Sequence, residues 1–138
     1  MSYTISIDAL HGSLEVLVEA VLNPSEIAGY EARLLKAAAQ ARSTSGRLRL
    51  MVDSSRIGPL PSASIERLMV LEEKLIAQHD DRVAILVDCN LAKARLAQSC
   101  KHRQINRFVS RNAARTWLGA YDKRTTATAI HHVAGPRS

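Results

Sequence analysis

Between Gly46 and Gly58 the chain reads Gly-Arg-Leu-Arg-Leu-Met-Val-Asp-Ser-Ser-Arg-Ile-Gly, and no other stretch limits the fold as much. Leu48, Leu50 and Val52 alternate with Arg47, Arg49 and Met51. Period two is the spacing of a β-strand. Asp53, Ser54 and Ser55 then place turn formers where the strand must end. In an open α/β sheet, ligands and partners meet the carboxyl ends of such strands.

The flanking sequence supplies the rest of that sheet. Tyr3–Ile7 alternates, His11-Gly12-Ser13 is turn material, and Leu14–Ala20 alternates again, which predicts an antiparallel hairpin. Asn23-Pro24-Ser25-Glu26 is a helix start. Asn23 is placed to cap, Pro24 suits the first helical position, and Glu26 stands where a capping box needs a carboxylate. Ile27, Tyr30, Leu34, Ala38 and Ala41 follow at helical spacing, and Ser43–Gly46 closes the helix. After Pro59-Leu60-Pro61, Ser62 is expected to cap a second helix over 63–78 with Ile65, Leu68, Met69, Leu75 and Ile76 as its apolar stripe.

Arg82–Val87 is apolar without alternation beyond its first residue, as in a strand covered on both faces. A third helix is expected over 91–103 and a short strand over Ile105–Val109. Ser110 caps a last helix whose stripe is Ala114, Trp117, Leu118 and Tyr121. Trp117 and Phe108 are expected in the core. The order β-β-α-β-α-β-α-β-α predicts an α/β fold: a single domain over 1–124 with a mixed, mostly parallel sheet of about five strands and four helices. Residues 125–138 are expected to be a mobile tail.

That order, together with Asp53-Ser54-Ser55-Arg56-Ile57-Gly58, resembles the STAS-domain superfamily, whose anti-sigma-factor antagonists carry an Asp-Ser-Ser-Gly-Leu-Gly turn after a central strand. The C-terminal half is similar to the SpoIIAA-like (STAS/SEC14-type) branch, through Phe108 on a short strand and Ala114-Arg115-Thr116-Trp117-Leu118 on the final helix. The resemblance covers about residues 3–122. It implies a SpoIIAA-like fold and a regulatory protein-interaction module without catalytic activity. The turn Asp53, Ser54, Ser55 and Gly58 and the following helix would face a protein partner, such as an anti-sigma-type kinase or another regulator. Ser54 would be the phosphoacceptor and Asp53 its neighbour, and phosphate there would add nearly two negative charges. Arg56 departs from the family's glycine, and Pro59-Leu60-Pro61 moves the helix start away from Ser54. The SEC14-type relatives imply an alternative, a carrier or sensor of a small apolar or anionic, lipid-like ligand. Leu60, Ile65, Leu68 and Met69 would line its pocket.

Charge and chemistry narrow the classes. The 138 residues carry a net charge of +6. Residues 1–88 hold 9 Lys/Arg against 12 Asp/Glu, a balance of −3, whereas residues 89–138 hold 10 Lys/Arg against one acid, a balance of +9. Lys93, Arg95, Lys101, Arg107 and Arg111 are candidates for binding an anion. Nucleic acid is disfavoured, because only 4% of the chain is aromatic and no stacking surface is suggested. Asp53 and Asp88 end neighbouring strands, but two carboxylates more often accept hydrogen bonds from turn amides than hold magnesium. His131-His132 is too sparse for a metal site, and Cys89 and Cys100 read as free thiols. No nucleophile motif or glycine-rich phosphate loop is present, so no enzyme activity, catalytic residue, metal or cofactor is expected. No apolar run reaches the roughly 20 residues that span a bilayer. With no leader pattern at Met1–Ile5, the cytoplasm is the expected location. A homodimer through a sheet edge or the second helix is compatible with this layout.

Overall fold

The computed structural model describes residues 2–8, 12–57, 60–89 and 103–119. Their order is β1 (Tyr3–Asp8), β2 (Ser13–Val18), α1 (Pro24–Ser45), β3 (Arg49–Asp53), α2 (Ser62–Leu75), β4 (Arg82–Leu86), β5 (Ile105–Phe108) and α3 (111–119). The strands form one mixed sheet in the order β1-β2-β3-β4-β5. The hairpin β1–β2 is antiparallel, while β2–β3, β3–β4 and β4–β5 pair in parallel. The described residues thus hold three helices rather than the four expected. The predicted helix over 91–103 and the predicted tail lie, but for Arg103, outside them.

Local chemistry explains the best-defined start. The Asn23 side chain accepts from the Glu26 amide at 2.8 Å, and the Glu26 carboxylate accepts from the Asn23 amide at 3.0 Å. This reciprocal box satisfies two donors that a helix start leaves without partners. Gly46 ends α1 at φ 84°, where a side chain would be strained. The second helix starts differently from the expectation. Pro61 occupies its cap position without a side-chain hydrogen bond, and Ser62 is already helical.

The sheet is covered on both faces. On one face Leu48 just before β3, Leu50 of β3, Val83 and Ile85 of β4, and Leu14, Val16 and Val18 of β2 pack against α1 and α2. On the other, Met51, Ala84 and Leu86 pack against Ala114 and Leu118 of α3. Trp117 is half-buried instead of a core anchor. It leans on Phe108, also half-buried, at 5.6 Å between ring centres, and the Arg82 guanidinium lies 5.0 Å over it. A half-exposed ring shared with a cation is the normal position of an amphipathic aromatic at a rim.

The amino ends of the parallel strands meet on a buried carboxylate. Asp81, 0% exposed, accepts from the amides of Leu48 (2.8 Å), Ala77 (2.9 Å) and Gln78 (2.9 Å) and from Arg42 Nε (2.9 Å). It therefore ties the entry of β3 and the end of α2 to the last turn of α1. Arg42 also donates to the Leu75 carbonyl, and Gln104 donates to the Asp81 carbonyl at 2.8 Å. Burial alone would raise the Asp81 pKa. The Leu48 and Ala77 amides, Arg42 and the Gln78 amide outweigh burial and hold it below the ordinary carboxylate range. Its stabilisation is present above the unfolded value of about 3.9 and is lost as pH falls through the lower folded value. Asp81→Asn is expected to destabilise the fold by roughly 1–3 kcal/mol in urea denaturation, because it leaves the half-buried Arg42 guanidinium without its counter-charge and the buried amides with a weaker acceptor. The loss of stability below about pH 4 should be shallower in that variant than in the native chain.

Candidate functional site

At the carboxyl ends of β3 and β4 the sheet and the two covering helices part. Only Leu71 and Leu75, in the second half of α2, are buried, whereas Ile65, Leu68 and Met69 in its first half are half-buried. Between α1, α2 and the sheet lies a partly open cavity of about 100 Å³, bordered by Leu71 and Leu75 as well as by residues nearer the start of α2. Ile27, Tyr30 and Leu34 of α1 form one wall. Val52, Ile85 and Val87 form the floor, and Ile65, Leu68, Met69 and Leu60 close the opposite side. The four residues read from the sequence as a pocket between the second helix and the sheet thus all border this one space.

Glu72 from α2 and Arg107 from β5 both border the cavity. Arg107 Nη2 donates to Glu72 Oε1 at 2.8 Å, with side chains 5% and 15% exposed. Arg107 Nε is buried and has no hydrogen-bond partner among the described residues. Burial pushes the Glu72 pKa up. Arg107 offsets only part of this rise, and Glu73 adds to it. The Tyr30 hydroxyl is likewise pushed up, chiefly by burial and then by the Glu72 charge.

Sequence reasoning passed over this pair, although its signal was present. Glu72 continues the helical stripe Ile65–Leu68–Leu75 at inward spacing, and Arg107 alternates with the inward Ile105. Two opposite charges on inward positions of neighbouring elements can be buried only as a pair.

The turn after β3 forms the rim of the cavity. Ser54 and Ile57 border it. The Ser54 amide and hydroxyl both donate to the Leu86 carbonyl, at 3.0 and 2.7 Å. Ser54, the expected phosphoacceptor, is therefore half-buried and spans β3 to β4. Asp53 does not pair with Ser54. Its Oδ1 accepts from the Ser55 amide (3.0 Å) and hydroxyl (2.6 Å), and its Oδ2 accepts from Arg111 (2.9 Å). Burial pulls the Asp53 pKa up, but the Ser55 hydroxyl and amide and the Arg111 guanidinium outweigh it and hold it low. Gly58 lies outside the described residues.

The basic candidates separate in the same way. Arg107 is 4% exposed and committed to Glu72. Arg111 bridges Asp53 and, at 3.4 Å, Glu15. Arg107 is thus an internal counter-charge, whereas Arg111 is paired but keeps its side chain 43% exposed. Lys93, Arg95 and Lys101 lie outside the described residues. Asp88 is exposed, and the described residues contain no cluster of three or more metal-ligating side chains. Cys89 is an exposed free thiol. No described helix is long and apolar enough to cross a membrane.

No protein-family model matches the chain, and neither a curated protein nor a solved structure is significantly similar to it. In a carbon-detected titration of the carboxyl groups, Glu72 is expected to titrate above its ordinary range and Asp53 below it. Arg111→Ala should move the Asp53 midpoint upward and leave that of Glu72 in place, since Arg111 contacts only the former.

Proposed function

We propose that this chain is a non-catalytic carrier or sensor that holds one small, mainly apolar molecule between α1, α2 and the sheet. The observation that carries the reading is the cavity between α1, α2 and the sheet. Its walls are mainly aliphatic, residues at the carboxyl ends of β3 and β4 border it, and its two charged residues are paired with each other. Small-ligand sites in α/β proteins have this form. At about 100 Å³ the cavity is smaller than the apolar cavities of roughly 150 Å³ that admit benzene, so the part of a ligand that it encloses is smaller than a benzene ring. A SpoIIAA-like (STAS/SEC14-type) domain is the fold family we propose for it. The half-buried apolar side chains of α2 give such a domain a reason to keep Ile65, Leu68 and Met69 where a tightly packed helix would bury them.

The alternative use of this end of the molecule is docking of the Asp53–Gly58 turn on a regulator. The geometry supports it less, because the hydroxyls of Ser54 and Ser55 are both engaged in internal hydrogen bonds. Native mass spectrometry of the chain purified from its own cells separates the two readings. The expected result is a small-molecule mass excess that disappears in Leu68→Trp, a substitution that fills the cavity from α2. An unliganded chain with phosphate on Ser54 or Ser55 would overturn the carrier reading in favour of a switch.

A further inference from the structure

The residues around the cavity divide by exposure. Leu22, Ile27, Leu34, Leu71, Leu75 and Ile85 are buried, whereas Ile57, Leu60, Ser64, Ile65, Leu68 and Met69 are half-buried. An opening to solvent can lie only among residues that keep exposed surface, so the mouth is on the side of the second group. The first group gives the interior aliphatic walls, and Tyr30 is the one neutral polar residue among the buried ones. Glu72 and Arg107 are the charged residues that border the cavity, and they neutralise each other at 2.8 Å. The Ser54 hydroxyl is donated to the Leu86 carbonyl at 2.7 Å. A charged head placed inside would therefore lose its hydration and find no uncommitted charge to replace it.

We infer that the cavity takes the end of one unbranched alkyl chain, tail first, while the polar head of that molecule stays in solvent beyond the mouth. This rests on the carrier reading above and names its ligand class and orientation. Size selects the chain. The enclosed space of about 100 Å³ is about two-thirds of what admits a benzene ring, which leaves room for about four carbons in a narrower file. A chain can enter as far as the space allows and leave its remainder outside, whereas a ring enters whole or stays out. Each methylene that leaves water for the aliphatic walls strengthens binding about fourfold. Polarity fixes the direction. The Ser54 and Ser64 hydroxyls belong to half-buried residues on the solvent side, and the buried walls present methyl and methylene groups. The tail gains most on the inside, and the head keeps its water outside.

The test is a titration of the full chain, followed by NMR, with hexan-1-ol, hexanoate and hexylammonium at neutral pH and about 0.15 M salt, where long-range charge effects are screened. The three probes share a chain and differ in the head. They are expected to bind within about threefold of one another, because each head remains hydrated. Cyclohexanol has as many carbons as hexan-1-ol but closes them into a ring, and it should bind about fivefold or more weaker. Direction is read on the native chain from intermolecular nuclear Overhauser contacts. The terminal methyl of hexanoate should touch Leu34, Leu75 or Ile85, and the methylene next to its carboxylate should touch Ile57, Leu60 or Ile65. A wider spread among the three heads, a smaller penalty for the ring, or the reversed set of contacts would overturn the inference and leave the carrier reading standing. Binding of none of the four probes would overturn the carrier reading itself.

Discussion

The Asp81 carboxylate is the interaction on which the arrangement depends. Four donors from three separate parts of the chain converge on it: the Leu48 amide before β3, the Ala77 and Gln78 amides after α2, and Arg42 near the end of α1. A single buried charge is costly unless every lone pair is used, and here the cost is met by amides that had no ladder partner of their own. The consequence is directional. The carboxyl end of α2 is pinned to the amino ends of the strands, with Leu71 and Leu75 fully buried beside it. At the other end Pro61 caps without a side-chain bond.

The opposite face of the sheet accounts for the charge asymmetry of the sequence. Arg115 joins Asp8 and Glu15, each at 2.9 Å, and Arg111 joins Asp53 and Glu15. The acidic first part of the chain and the basic last part are thus partly each other's counter-charges, brought together by β1, β2 and β3 on one side and α3 on the other. Individually such half-exposed pairs contribute little stability. As a set they fix how α3 lies across the sheet. An excess of +9 in residues 89–138 therefore overstates the positive surface, because Arg107, Arg111 and Arg115 are already paired.

Much of the fold was legible because it follows from local rules. The hairpin, the capping box at Asn23–Glu26, the four buried positions of α1 and the turn after β3 are written in spacings of two, three and four residues. Trp117 was misplaced because periodicity fixes which side a residue faces but not how far the covering layer extends. The Trp117 ring ends half in solvent, although Leu118 beside it is buried. Asp81 was unreadable for another reason. In the sequence it is half of an Asp-Asp loop, and its donors lie far away along the chain at Leu48 and Arg42. The pocket residues of α2 were identifiable as an apolar stripe, yet a stripe alone does not distinguish core from cavity wall.

The turn and the cavity are one structural unit, and this bears on how a bound molecule would be felt outside. Ser54 lines the cavity and at the same time binds the Leu86 carbonyl through both its amide and its hydroxyl. Ser55 holds Asp53, which holds Arg111 on α3. An occupant pressing on Ile57 or Ser54 therefore acts on the same few bonds that connect β3, β4 and the helix on the far face. A ligand changes a protein's shape only to the extent that it prefers one arrangement over another. Here the contacts able to express such a preference run from the cavity rim to Arg111, with Asp53 as the relay between the two faces of the sheet.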